Sequence, residues 1–187
     1  MSIKIVVVYA LIVVLVFFAQ PKPDLLSFVG LGLIALGQIL RFWATGHLVK
    51  NKVLTTSGPY AYVKNPLYVG TFLIMVGFCL IARGDYPVNW ILLGLGVLVF
   101  AAYYVPYKKK REGDRLRKIF GAEWDDYDRA VPDYFPQLRP YGKGERRWSF
   151  RAVLENSEPW TLVAIVGGVL AIYYRDLLEK VVRDFLR

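Results

Sequence analysis

The chain has 187 residues, of which 56% are hydrophobic and 21% charged, and its net charge is +9. This length fits one domain, residues 1–187. The single cysteine, Cys79, cannot form an internal disulfide, which excludes a small disulfide-stapled secreted domain. Thirteen of the 24 basic residues lie between Lys108 and Arg151, beside apolar runs. That placement is typical of the cytoplasmic side of a membrane protein, and it argues against a nucleic-acid partner.

Apolar runs about as long as a bilayer is thick predict an all-α integral membrane protein with about five transmembrane helices. The first run, residues 3–18, has no small-residue cleavage site after it and is interpreted as a retained span. The second run covers residues 25–43, and its three glycines would let a neighbouring helix approach closely. The third, residues 66–82, begins at a proline, and the fourth covers residues 88–104.

Beyond the fourth span, helical character predicts that the helix continues into the cytoplasm over residues 108–119 and breaks near Gly121. A short amphipathic helix follows at residues 122–130, and a proline-containing segment closes it. Residues 160–174 form a last apolar run, so an additional helix is expected at about residues 158–176. Its length favours a fifth span but also fits a re-entrant or interfacial helix.

The distribution of basic residues predicts the orientation. The two long polar segments, 44–65 and 105–157, hold most of the lysines and arginines, whereas the turns at residues 20–24 and 83–87 hold one each. The positive-inside rule therefore places both segments and the N-terminus in the cytoplasm, with the C-terminus outside. The tail carries basic residues that fit this placement poorly: Arg175, Lys180, Arg183 and Arg187.

A polar stretch at the start of the third span, residues 57–70, has the composition of a ligand site. Two glycines permit close approach of the backbone, and two prolines restrict its geometry. Lys64, Asn65 and three tyrosines supply polar groups where the span meets the cytoplasm. An interfacial loop with an aromatic belt explains the same composition equally well.

A second stretch begins at Glu112 and continues through Phe-Gly at residue 120, Trp124, Tyr127 and Val-Pro at residue 131. Glu112 lies among lysines and arginines. Taken alone, it is explained as a solvated partner of those charges, which contributes little to stability.

Together the two stretches resemble the cofactor-binding region of the membrane methyltransferases, the superfamily of isoprenylcysteine carboxyl methyltransferase and phosphatidylethanolamine N-methyltransferase. Its members carry Leu-Val-x-x-Gly-Pro-Tyr-x-x-x-Arg-His-Pro-x-Tyr-x-Gly, then a Glu-Glu pair, Phe-Gly-x-x-Tyr-x-x-Tyr and Val-Pro-x-x-x-Pro. This chain reads Val-Leu-Thr-Thr-Ser-Gly-Pro-Tyr from residue 53 and Lys-Asn-Pro-Leu-Tyr-Val-Gly from residue 64. The resemblance covers residues 38–138, in the same order and spacing.

Several positions differ from that pattern. Lys64 and Asn65 stand where the carboxyl methyltransferases have Arg-His, although asparagine before this proline also occurs among the phospholipid N-methyltransferases. Gly113 replaces the second glutamate, and Trp124 replaces the first tyrosine after Phe-Gly. These differences leave the acceptor open between a prenylcysteine carboxylate, a phospholipid-type amine and another small lipophile.

The resemblance implies S-adenosylmethionine as cofactor, bound in a pocket at the membrane interface, and no metal. Arg41, at the end of the second span, is a candidate to steer an anionic acceptor, and Asn65 is a second candidate for catalysis. Cofactor contacts are expected from ten residues: His47, Leu48, Tyr60, Val63, Lys64, Asn65, Pro66, Tyr68, Gly70 and Glu112.

The predicted function is methyl transfer to a lipid or prenylated substrate, with the active site facing the cytoplasm in the inner (plasma) membrane of a prokaryote. A membrane sterol or steroid reductase that uses NADPH is the alternative, because those enzymes share a related Asn-Pro-x-Tyr-x-Gly stretch and carry a tryptophan in a later segment. They have glutamate where this chain has Thr71. A non-catalytic membrane scaffold is a third interpretation, and the lack of visible repeats argues against a typical inverted-repeat transporter.

Overall fold

The computed structural model of the chain describes residues 13–49, 52–142 and 147–185, and every regular element within them is helical, as the sequence predicts. A 3-10 helix at Gly58–Ala61 and a π-helical segment at Phe100–Tyr104 accompany the α-helices. The α-helices are α1 (Leu25–His47), α2 (Pro66–Ile81), α3 (Val88–Val99), α4 (Val105–Phe120), α5 (Ala122–Ala130), α6 (Phe150–Glu155), α7 (Glu158–Tyr173) and α8 (Arg175–Phe185).

Helices α1 and α2 form an antiparallel pair held close together by glycines. A Cβ atom at Gly37 would lie 2.5 Å from the carbonyl oxygen of Gly70, and one at Gly77 would lie 2.5 Å from that of Gly30. The absence of side chains at these positions is what lets the two backbones touch. The 3-10 helix, α6 and α7 all pack against α1 as well, so α1 is the central element.

Helix α7 runs alongside α1 in the opposite direction. Its first residue, Glu158, bonds to Arg41 near the end of α1, and its last turn packs with Ala19, which precedes α1. The apolar core lies between these helices and the helical residues 13–18. Its buried members are Ala19, Ile34, Ile74, Ile81, Ala82, Ile165 and Ile172.

Helix α1 is long and apolar enough to cross a membrane, and no other single helix among the described residues passes the same test. Helices α7 and α8 pass it only as a pair, and their axes differ by 81°. Helix α2 and the stretch Val88–Ala102 are apolar but shorter. Large apolar side chains on α1, α3 and α7 are exposed, as expected of surfaces that meet lipid.

Four of the five predicted spans therefore coincide with apolar helices, and crossing by all five stays a prediction. The first predicted span, residues 3–18, lies mostly outside the described residues. Helix α5 has the predicted bounds, and the break before it falls at Gly121, whose φ of 57° is a conformation that favours glycine.

The segment after α5 packs along the loop that precedes α2. The backbone N–H of Lys64 donates to the Pro132 carbonyl at 2.9 Å, and the N–H of Gln137 donates to the Tyr62 carbonyl at 3.0 Å. These bonds bring the two motif-bearing stretches together at the C-terminal end of α1. We call this end of the molecule the site end.

The opposite end, called the turn end, is closed by polar bonds between segments far apart in the chain. The Gln20 N–H donates to the Arg83 carbonyl at 2.8 Å, and the Arg83 guanidinium pairs with the Asp24 carboxylate. Arg175, at the start of α8, donates to the Phe17 carbonyl at 2.9 Å. The turn before α1, the turn after α2 and the start of α8 therefore lie at one level.

Candidate active site

A cavity of about 520 Å³ opens at the site end, between the end of α1, the loop before α2, and helices α4 and α5. This volume is within the range of small-molecule sites in proteins. Both motif-bearing stretches contribute to its wall. Eight of the eleven residues predicted for the site line it: Arg41, Leu48, Tyr60, Lys64, Asn65, Pro66, Tyr68 and Glu112.

The other three predicted residues lie outside the cavity wall. The His47 ring is buried, its Nδ1 atom lies 3.0 Å from Ser57 Oγ, and a Cβ at Gly58 would lie 2.3 Å from it. Val63 is 2% exposed. Gly70 forms the close contact with α1. In this structure these residues support the backbone of the wall.

Lys64 is a buried cation that joins the loop before α2 to the end of α5. Its Nζ atom lies 2.6 Å from a carboxylate oxygen of Asp128 and 2.9 Å from one of Asp133, and it donates to the Asp128 carbonyl at 3.0 Å. All three ammonium donors thus have partners inside the protein. The two carboxylates compensate a charge that would be costly to bury alone. Sequence reasoning missed both, because each is more than 60 residues away.

Asn65 precedes α2 and is tied to the same segment. Its backbone N–H and its side-chain Nδ2 both donate to the carbonyl oxygen of Asp133, at 3.2 and 3.1 Å. Together with the Lys64 N–H, which binds Pro132, these backbone donors are used inside the protein. These two N–H groups are therefore not available to a ligand in the cavity.

Arg41 extends from α1 to the cavity wall and is held by a buried carboxylate. Its Nε and Nη2 atoms donate to the two oxygens of Glu158, both at 2.8 Å, and Nη1 donates to Thr71 Oγ1 at 2.8 Å. Glu158 is 1% exposed and also accepts a bond from Gln38 Nε2 at 3.0 Å. Bidentate pairing fixes the plane of the guanidinium group.

Glu158 is a further site-end residue that sequence reasoning did not single out. It lies 117 residues after Arg41 and belongs to no motif. Its position at the start of an apolar helix was the one available signal, since a carboxylate there is unusual unless it has a partner.

Two buried tyrosines form the floor of the cavity. The Tyr127 hydroxyl donates to the Tyr60 carbonyl at 2.8 Å. Burial raises the pKa of both phenols, and the nearby Glu112 carboxylate raises that of Tyr60 further while Arg41 lowers it. Trp124, which stands where the family pattern has tyrosine, packs beside Tyr127 with ring centroids 5.8 Å apart. The tryptophan therefore has a packing role here.

One side of the cavity is aromatic. The ring of Tyr68 lies 6.4 Å from that of Phe100, which in turn lies 5.7 Å from that of Tyr134. Phe100 begins the π-helical segment after α3. Aromatic faces of this kind attract cations. Tyr134 also lines the cavity but was not among the predicted site residues.

The charges of the cavity wall have both signs, from Arg41, Lys64 and Arg115 on one hand and from Glu112, Asp128 and Asp133 on the other. Such a wall suits a small ligand that carries both charges. Among the described residues, no group of three or more His, Cys, Asp or Glu side chains could hold a metal ion.

The described residues form an all-helical fold with membrane-type apolar helices, and a cavity of small-molecule size lies at the polar end of these helices. The family follows from the sequence: the phospholipid methyltransferase family model matches residues 25–123, more than half of the chain, and the chain belongs to that family. The match contains Arg41, Asn65 and Glu112 but ends before Glu158.

Curated relatives extend this finding. The chain is 32% identical over 130 residues to the cobalt-zinc-cadmium resistance protein CzcN of Cupriavidus metallidurans, covering 68% of this chain and 56% of that one. It is 32% identical over 112 residues to the nickel-cobalt-cadmium resistance protein NccN of Alcaligenes xylosoxydans xylosoxydans, covering 59% and 49%. It is 31% identical over 125 residues to the protein-S-isoprenylcysteine O-methyltransferase of Schizosaccharomyces pombe, covering 58% and 48%.

The chain thus spans about half the length of the curated relatives it matches. No solved structure matches it significantly.

Proposed function

We propose that this protein transfers a methyl group from S-adenosylmethionine to a lipophilic acceptor at the membrane interface. The observation that carries the proposal is that Asn65, Tyr68 and Glu112, which come from two separate motifs, line one cavity. That cavity lies at the end of apolar helices, where a water-soluble donor and a lipid-borne acceptor can both arrive. Membership of the phospholipid methyltransferase family supports the same activity.

The chemistry of the cavity wall suits this donor. Glu112 offers a carboxylate for the ammonium group of the methionine end. Tyr68 offers an aromatic face for the sulfonium, a contact worth about 0.5–2 kcal/mol. Leu116 and Phe120 supply apolar surface for the adenine ring.

When bound, S-adenosylmethionine supplies a methyl group that leaves sulfur as an in-line nucleophile attacks the carbon. The protein then has to hold the nucleophile in line and exclude water, so positioning accounts for much of the rate. Arg41, kept in one orientation by Glu158, presents its guanidinium to a carboxylate or phosphate of the acceptor. A carboxylate acceptor has no proton to lose, whereas a protonated amine must lose one before it attacks.

The same proposal places the site end at the cytoplasmic face of a prokaryotic inner membrane, with five spans. Helix α4, which forms part of the cavity, supports this orientation because it is rich in basic residues that favour anionic headgroups. The acceptor is then a prenylcysteine carboxylate or a phospholipid-type amine that reaches the cavity from the bilayer.

Titration calorimetry of the detergent-purified full chain with S-adenosylmethionine, and separately with NADPH, tests the proposal. We expect saturable binding of S-adenosylmethionine, weakened roughly tenfold or more by Glu112→Gln because a charge-assisted bond is lost. Asp114→Asn is the matched control, since Asp114 lies on the same helix, is exposed and does not line the cavity.

Binding of NADPH alone would contradict the proposal and favour the reductase, and binding of neither compound would favour a scaffold. If S-adenosylmethionine binds, transfer of its labelled methyl group to an S-farnesylated cysteine or to phosphatidylethanolamine distinguishes the two acceptor classes.

A further inference from the structure

Helix α8 has one apolar and one charged face. Leu177, Leu178 and Val181 share a face by helical spacing, and 58%, 46% and 58% of each residue is exposed. The charged residues of the helix lie around the rest of its circumference: Asp176, Glu179, Lys180, Arg183 and Asp184. An apolar face that is this exposed needs a partner.

The direction of α8 relative to α7 indicates what that partner is. Helix α7 is apolar on all sides, and Trp160, Val163 and Val166 on it are exposed, which suits a helix surrounded by lipid. The two helix axes differ by 81° across a break at Tyr174. A helix at nearly a right angle to a membrane span lies almost parallel to the membrane surface.

The residues around the break match the level of lipid headgroups. Arg175 donates to the Phe17 carbonyl and pairs with Asp176, so the start of α8 is fixed at the turn end. Tyr86 and Tyr174 are 65% and 58% exposed at this same end. Exposed tyrosines and charged groups at one level are characteristic of a membrane–water interface.

We propose that α8 lies in the plane of the membrane at the turn end, with Leu177, Leu178 and Val181 in the acyl region and its charged face in water. The proposal rests on the membrane placement of α7 given above. Its partner is the lipid surface itself, as for other interfacial amphipathic helices.

The charges of α8 add a second feature to this proposal. The helix carries three acidic and three basic residues, and Arg183 pairs with Glu179 at 2.6 Å. Its net charge is therefore zero, and its binding to the membrane needs no anionic lipid. Because acidic residues balance its basic ones, α8 can lie at the end of the protein opposite the basic cytoplasmic segments although the tail contains lysine and arginine.

Spin-label accessibility tests the proposal on the full chain in phosphatidylcholine nanodiscs. In a Cys79→Ala background, single cysteines replace Leu178 and Val181 on the apolar face, Lys180 and Asp184 on the charged face, and Val166 on α7 as a reference for the bilayer. We expect collision with oxygen to be severalfold higher at Leu178 and Val181 than at Lys180 and Asp184. Collision with a water-soluble nickel chelate, the nickel reagent, should show the reverse order. Both results should be the same in pure phosphatidylcholine nanodiscs and in nanodiscs that also contain anionic lipid.

Three results would overturn the proposal. Access of the nickel reagent to all four α8 positions would place the helix in water, and oxygen access at all four would make it part of a span. Spin–spin broadening at Leu178 would assign the apolar face to a second copy of the chain. A label at Val166 that meets only the nickel reagent would instead overturn the membrane placement of α7.

Discussion

Buried charges at the site end occur in compensated groups. Lys64 is paired with Asp128 and Asp133, and Arg41 is paired with Glu158. Both cations also line the cavity, so the groups that stabilise the wall are the groups that a ligand meets. Removing one member of such a group leaves an uncompensated charge out of water, which costs more than the pair contributes.

Replacing Glu158 with glutamine should destabilise the protein by roughly 3–5 kcal/mol, because the partly buried guanidinium of Arg41 then loses its buried counter-ion. Thermal unfolding in detergent measures this loss. The matched control is Glu155→Gln, which removes an exposed ion pair with Arg151 of 2.9 Å and should change stability by less than about 1 kcal/mol. Equal unfolding temperatures for Glu158→Gln and the unsubstituted chain would show that Glu158 is not needed to compensate the charge of Arg41.

At the scale of elements, the contact between α1 and α2 positions most of the site. Arg41 belongs to α1, while Asn65 and Tyr68 stand at the start of α2, so the separation of the two helices sets the distance between these side chains. The glycine contacts keep that separation small. The glycines of both helices are therefore part of the site's geometry although they do not touch the cavity.

The substitution Gly37→Ala should destabilise the protein by about 1–3 kcal/mol, because its Cβ would lie 2.5 Å from the Gly70 carbonyl oxygen and force the helices apart. Gly32→Ala is the control on the same helix, since a Cβ there meets nothing within 4 Å. It should leave stability unchanged or raise it by up to about 1 kcal/mol. Unfolding temperatures of the two variants check the prediction, and equal effects would contradict it.

Elements whose boundaries are marked by local signals were predicted well. Helix α5 lies between Gly121 and the Val-Pro pair at residue 131, and both signals act on their immediate neighbours. Helix α8 was not predicted as a separate element, because it is too polar to be found by its hydropathy. The break between α7 and α8 depends on the backbone angles of a few residues around Tyr174, and the side-chain pattern does not predict it.

Over the whole molecule, the C-terminal region completes the site end. Asn156 Nδ2 donates to the carbonyls of Thr45 at 3.2 Å and Leu48 at 3.1 Å, at the C-terminal end of α1. Trp148 Nε1 donates to the Phe42 carbonyl, in the last two turns of α1, at 3.2 Å. Residues beyond the family match at 25–123 therefore hold the helix from which Arg41 extends.

A chain that ends at residue 142 should bind S-adenosylmethionine at least roughly tenfold more weakly than the full chain, because Arg41 loses Glu158 and α1 loses its C-terminal partners. A chain that ends at residue 174 should keep its affinity, since α8 lies at the turn end. Calorimetry of both proteins checks this expectation. Unchanged affinity in the shorter chain would show that the C-terminal region does not contribute to the cavity.

The sequence by itself determined the helical class, the apolar segments and eight of the residues that line the cavity, such as Asn65 and Glu112, because hydropathy and motif spacing are local properties. Only the tertiary structure decided which charges meet. Lys64 finds its carboxylates more than 60 residues away and Arg41 finds Glu158 at a separation of 117 residues. Such a partner is selected by helix packing and by the cost of an unpaired buried charge, and neither leaves a pattern in neighbouring residues.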